Sequence, residues 1–599
     1  MKKKHFFKFF SLLVVLGMLL SACSNSTGGK DSGSKKPTSS SDKPKEDIST
    51  FPSVIKSDKP VVEDGSLTYA LVYDTPFEGT LNYAYYTGQP DAEVLQFFDI
   101  PLFSTNADYE FTNDGAATYE MSNDNKTITV KIKDNVNWSD GKPVTSQDYE
   151  YSFLVIGNKD YTGVRYGDAI IQSIVGMKEY HAGKSKNISG IKIIDDKTLS
   201  ITFKDANPSL ITGLWPYAMP KHYIGDIPIK DLAKADKIHK TPIGFGPYKI
   251  KKMVPGESVE FERNDDYFGG KPKLKTIIAK VVNPKVILQS LKKGEVDVAD
   301  FPVDQYPAAK GSKNFQFIGQ IDLAYNYIGF KLGHWDAKKG INVMDNPKFQ
   351  DKRLRQAMAY ALDQKSVGEK IYNGLRFPAT SLIPPSFPSW YNKDANAIGY
   401  DPEKAKQLLD EAGYKDTDND GLREDPNGKK FHINFLSMSG GDTAEPLAKF
   451  YMQSWKNVGL DVSLVDGRLA EFNSFYKMVE EDNKKVDIYA GAWGTGTDVD
   501  PYGLYGKDVP FNYSRFVSEK NDQLLADGHS VKAFDHDYRK KVYDEWQAFM
   551  NDEMPVIPTL FRSTISGVNN RVTSLTANYT ADPYVWAKVG VTSETPEVE

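Results

Sequence analysis

Apolar and polar positions alternate over Thr127–Ile132, as in a half-buried strand, after the turn-forming run Ser122-Asn123-Asp124-Asn125. Residues 138–144 read as a turn. Thr145, with Asp148 three positions on, caps a helix running through Phe153. Two short strands flank Asp195-Asp196 within 191–203, residues 243–250 run from a Gly-rich turn into a strand, and 259–263 alternate again. Leu354, Met358, Ala361 and Leu362 recur at helical spacing and predict one helix over 351–372, ended by Asn373-Gly374. Another helix opens with Asp401 as N-cap and Pro402 at the first helical position. Ala405, Leu408, Leu409 and Ala412 line one face, and Gly413 stops it. Beyond it, strands are expected at 431–436, 460–465, 486–492 and 556–565, and helices at 445–458 and 545–550. Strands alternating with helices at this spacing argue an α/β fold, with the first half richer in strands.

The N-terminal pattern is different. Met1-Lys2-Lys3-Lys4 precedes an apolar stretch over 9–20, too short to span a bilayer comfortably, and then Leu20-Ser21-Ala22-Cys23. A basic start, an apolar core and small residues before a cut site describe a secretory signal peptide over 1–22. Cys23 directly after Leu-Ser-Ala matches the lipobox of bacterial lipoproteins, where the thiol receives a diacylglycerol and becomes the new N-terminus. Residues 24–50 are rich in Ser, Lys, Gly, Asp and Pro with no aromatic residue, and read as a lipidated, disordered tether. The expected location is the extracellular face of the cell membrane, lipid-anchored.

Composition narrows the chemistry. The net charge of −6 argues against a nucleic-acid surface. Cys23 is the one cysteine, so the mature body has neither disulfides nor a thiolate nucleophile. No GxSxG, HExxH or GxxxxGK[ST] motif appears, and the histidines (5, 181, 222, 239, 334, 432, 529, 536) show no metal-ligand spacing beyond His529 and His536 in a polar stretch. Neither a catalytic residue nor a cofactor is expected. The 34 Tyr and 32 Phe could furnish aromatic cores or a binding cleft.

Several blocks, read in order, resemble the extracytoplasmic solute-binding proteins of peptide- and nickel-type (family 5) ABC importers. They are Phe98-Asp99-Ile100-Pro101-Leu102-Phe103 with Trp138-Ser139-Asp140-Gly141-Lys142-Pro143, and Gly244-Phe245-Gly246-Pro247-Tyr248 with Gly294-Glu295-Val296-Asp297. Further on come Leu354-Arg355-Gln356-Ala357-Met358 with Ile383-Pro384-Pro385, and Tyr400-Asp401-Pro402 with Ala412-Gly413-Tyr414. Together they cover nearly the whole body, and the chain looks most like oligopeptide-binding lipoproteins of Gram-positive bacteria. The resemblance implies an α/β two-lobed, periplasmic-binding-protein-like clamshell with two interlobe crossings. Its first lobe would be 51–328 with 560–599 and an extra subdomain at about 85–240, its second 329–559. It implies a non-catalytic, monomeric receptor that encloses oligopeptides and delivers them to the permease and ATPase subunits of an importer. A nickel complex, haem or a sugar as ligand, and a pheromone-sensing role, are the alternatives within the family; an extracellular hydrolase is the alternative outside it.

The resemblance also implies a site. In peptide-binding members a segment after an aromatic residue lies beside the ligand backbone, and it matches Trp493, Gly494, Thr495, Gly496, Asp498 and Asp500 here. Glycines admit a second backbone at close range. Tyr325, Asn326, Tyr83 and Tyr85 complete the expected contacts. Many members carry an Asp three positions after the Trp, where it pairs with the peptide α-amino group; here that position is Gly496. Either Asp498 or Asp500 substitutes, or the amine is held otherwise. Asp500, before Pro501, is expected to cap local backbone. Lastly, Asp416, Asp418 and Asp420 begin like a calcium-binding EF-hand loop, but the twelfth position is Asn427 and a strand follows, so a solvated acidic turn is expected, with a weak calcium site as the alternative.

Overall fold

A computed structural model describes residues 51–440, 442–579 and 581–599. The signal segment, Cys23 and the whole tether lie outside the described residues. No helix among the described residues is long and apolar enough to cross a membrane. The chain divides into two compact units, one formed by 51–320, 529–539 and 564–599 and the other by 321–528 and 540–563. It passes from one to the other inside two long strands, Phe315–Phe330 and Val556–Asn569. The expected boundaries, 328/329 and 559/560, fall within the same strands. Segment 529–539, assigned from sequence to the second lobe, goes with the first unit, where Arg539 donates to Ser209 Oγ at 3.4 Å.

The first unit contains a mixed sheet in the order Val556–Asn569, Val298–Asp300, Ser66–Val72, Thr276–Val282, Ser258–Arg263, Tyr248–Val254. Ser66–Val72 runs parallel to both its neighbours; Leu67, Tyr69, Ala70 and Leu71 are buried, Thr68 and Val72 half-buried and Ser66 exposed. Tyr69, Phe97 and Trp586 pack at its core, with Phe97 and Trp586 rings 4.6 Å apart. A separate antiparallel sheet, Ala117–Met121, Thr127–Ile132, Thr198–Thr202, Ile191–Ile193, has its own core of Val130, Ile132, Phe153 and Leu199. It lies in the stretch where an extra subdomain was expected. Its helix Ser146–Ile156 starts with the reciprocal Thr145–Asp148 box read from sequence, and Asp148 also accepts Trp138 Nε1–H at 3.2 Å.

The second unit is built on a sheet in the order Asp461–Leu464, His432–Leu436, Ile488–Gly494, Phe315–Phe330, Val556–Asn569, with Arg376–Pro378 paired to the last. His432–Leu436 runs parallel to both neighbours, and helix Ala444–Lys456 makes the right-sized crossover from it to Asp461–Leu464. Helix Pro402–Glu411 is capped by Asp401, which accepts Lys404 N–H. The single helix expected over 351–372 is two, Lys352–Tyr360 and Gln364–Ile371. Asp363 accepts the backbone N–H of Ser366 and starts a new helix there, although the apolar spacing carries on through Ala361 and Leu362.

Candidate functional site

Strand Ile488–Gly494 is paired on both edges, antiparallel to 324–330 and parallel to His432–Leu436 at Phe435 and Leu436. Side chains alternate across it. Tyr489, Gly491 and Trp493 share one face with Tyr325 and Tyr327, while Ala490 and Ala492, both half-buried, share the other with Asn326. Trp493 stacks on Tyr513 at 5.1 Å and lies parallel to Tyr327 at 6.4 Å. Tyr325 is fully buried and its hydroxyl pairs with that of Tyr505 at 2.8 Å. Asn326 Oδ1 accepts from Arg376 at 3.4 Å.

A buried charge cluster fixes this aromatic group from behind. Asp482 pairs with Lys331 and, at 2.8 Å, with Arg515. Lys331 Nζ also donates to the Tyr513 carbonyl at 3.1 Å, tying the ring stacked on Trp493 to the cluster. Burial, with Arg515 nearby, lowers the Lys331 ammonium to about 8. Burial opposes ionisation of Asp482, but the two cations prevail and hold its carboxyl below the usual range.

After Gly494 the backbone leaves the sheet. Thr495 N–H donates to the Leu323 carbonyl at 2.8 Å, and Gly496 and Thr497 are exposed. Gly496 has φ +68°, and a Cβ there would meet nothing within 4 Å, so it is the left-handed backbone and not crowding that favours glycine. Asp498 Oδ1 accepts Asp500 N–H at 3.2 Å, and Asp500 Oδ1 accepts Tyr502 N–H at 2.9 Å. Both carboxylates engage the turn leading into Tyr502–Tyr505.

The structure thus brings 493–500, Tyr325 and Asn326 together in one unit. Tyr83 and Tyr85 belong to the other, both buried. Tyr83 stacks on Tyr217 with centroids 3.6 Å apart, and Tyr85 lies 5.3 Å from Tyr161 with a buried hydroxyl that has no partner among the described residues. Tyr505 and Tyr513 were not read from the sequence; nothing in Leu504-Tyr505 or Asn512-Tyr513 marks them, since their role comes from packing against distant strands. At the acidic loop, Asp416, Asp418 and Asp420 place carboxylate oxygens within 4.8 Å of one another. Lys430 Nζ reaches Asp418 at 2.6 Å, Asp420 at 2.5 Å and Glu424 at 3.1 Å, and the chain's own ammonium supplies a counter-charge.

The family model for bacterial extracellular solute-binding proteins, family 5 (middle region), matches residues 110–514. The oligopeptide-binding protein OppA of Lactococcus lactis subsp. cremoris (strain SK11) is 35% identical over 506 residues, covering 82% of this chain and 84% of its own. The oligopeptide-binding protein AppA of Bacillus subtilis (strain 168) is 27% identical over 564 residues, covering 92% and 93%. The solved structure of lactococcal OppA, complexed with an endogenous peptide in the closed conformation, superposes with a TM-score of 0.70 at 33% identity, covering 88% of this chain and all of that one (100%). The α/β fold expected from the sequence is shared with it. On the extent of these matches, the chain belongs to the bacterial extracellular solute-binding proteins of family 5.

Proposed function

We propose that this chain is a receptor for extracellular oligopeptides that hands them to the membrane subunits of an ABC importer, without chemistry of its own. The observation that carries this is the 35% identity to an oligopeptide-binding protein across 82% of the chain. The peptide's main-chain N–H and C=O groups, common to every sequence, would pair with the exposed backbone that follows Trp493, giving affinity with little side-chain selection. Cys23 would bear the lipid that keeps the receptor at the membrane. Isothermal titration of the purified chain tests the ligand class. Peptides of mixed sequence should give binding heat, whereas nickel–histidine, haem and oligosaccharides should not. Binding of one of those in place of any peptide would overturn the proposal.

A further inference from the structure

Arg376 and Arg562 stand directly opposite one another where Arg376–Pro378 pairs with Val556–Asn569. Directly opposed like charges repel, and among the described residues a single carboxylate is ion-paired with them, Asp322, at 2.7 Å from Arg562. Arg376 lies with its guanidinium carbon 3.9 Å from the Tyr372 ring centroid and makes one long hydrogen bond, 3.4 Å, to Asn326 Oδ1. Arg562 Nε is buried with no acceptor among the described residues.

Structural arginines in this chain look different. Arg355 donates to the carbonyls of Phe349, Gln350, Glu553 and Met554, and Arg571 makes two 2.7 Å bonds to Asp297 and reaches three further carbonyls. Buried donors are normally satisfied in this way. Arg376 and Arg562 instead leave guanidinium donors unused, two positive charges facing one negative. Both are half-buried, so the donors are neither sealed in the core nor washed by bulk water. Their position is telling as well. Asp322 adjoins Leu323, whose carbonyl holds Thr495, and Asn326 shares its face with the half-buried Ala490 and Ala492.

We propose that Arg376 and Arg562 form a receptor for a carboxylate of the bound peptide, which completes the pair's hydrogen bonding and cancels its excess charge. Planar guanidinium groups match a carboxylate with two parallel N–H···O bonds. The carboxylate comes from the peptide C-terminus or from an Asp or Glu side chain. The inference rests on the peptide reading above.

The test is calorimetry with one glutamate-containing peptide in three forms: free acid, C-terminal amide, and Glu→Gln. Each is titrated into the native chain and into Arg376→Gln and Arg562→Gln. One of the two neutralisations should weaken binding to the native chain about tenfold or more, and which one does so identifies the source of the carboxylate. In the arginine variants the same neutralisation should cost less than about threefold. The comparison among peptides on the native chain needs no variant, so a misfolded variant does not protect the proposal. If all three peptides bind the native chain alike, the receptor is wrong while the peptide reading stands. If none binds, both fall.

Discussion

Glu93 shows how far a single residue can be displaced from its ordinary chemistry. It is buried, accepts hydrogen bonds from the hydroxyls of Tyr69 and Tyr73, and has Asp300 as a neighbour instead of a cation. Burial first, and then the Asp300 charge, push its carboxyl from 4.5 up to about 8. The folded state therefore holds a proton that the unfolded state has lost. Stability from this group is full below about 4.5 and is lost as pH rises through about 8. Thermal melts between pH 5 and 9 should show a falling midpoint, and Glu93→Gln, which cannot ionise, should flatten that fall. An unchanged slope would mean that Glu93 is already ionised in the fold. A second residue-scale prediction concerns the peptide amine. Gly496 offers no acid, and Asp498 and Asp500 are engaged with local backbone. N-acetylating a bound peptide should therefore weaken it by less than about tenfold, or about 1.4 kcal/mol. A hundredfold loss, abolished by Asp498→Asn or Asp500→Asn, would show that a shifted aspartate holds the amine.

Among elements, the segments quoted for the family resemblance turn out to be joints. Gly246 lies against the Phe98 carbonyl, where a Cβ would sit 2.7 Å from the oxygen. Asp297 grips Arg571, and Arg355 collects the carbonyls that end the helix His536–Glu553. The Lys331–Asp482–Arg515 cluster plays the same part beneath Trp493. All three side chains are largely buried, so Asp482→Asn strands two cations and should cost about 3–5 kcal/mol in urea unfolding. A loss within about 0.5 kcal/mol, the range of a surface substitution, would show that water already solvates them. What was legible in the sequence was local. The Thr145–Asp148 box and the Asp401-Pro402 start have side chains that satisfy backbone within one turn. The break at Asp363 was masked by apolar spacing that persists across it, although its cap on Ser366 N–H is as local as the other two. Arg376 and Arg562 are 186 positions apart in sequence, and no window reveals that a sheet sets them side by side. The burial of Tyr325 was equally illegible, since alternation fixes two faces but not which of them the core claims.

For the whole molecule, two claims remain to be measured. Cys23→Ala should leave the precursor uncleaved or shed the chain into the medium, as fractionation and N-terminal sequencing would show; normal processing with retention at the membrane would refute a lipid anchor. The central claim is that the chain captures peptides, and the most direct check is native mass spectrometry of the protein purified gently from its host. The account predicts additional masses of several different peptides, lost together on mild activation and identifiable by sequencing. A spectrum showing the bare chain alone, together with no calorimetric heat for any added peptide, would contradict it.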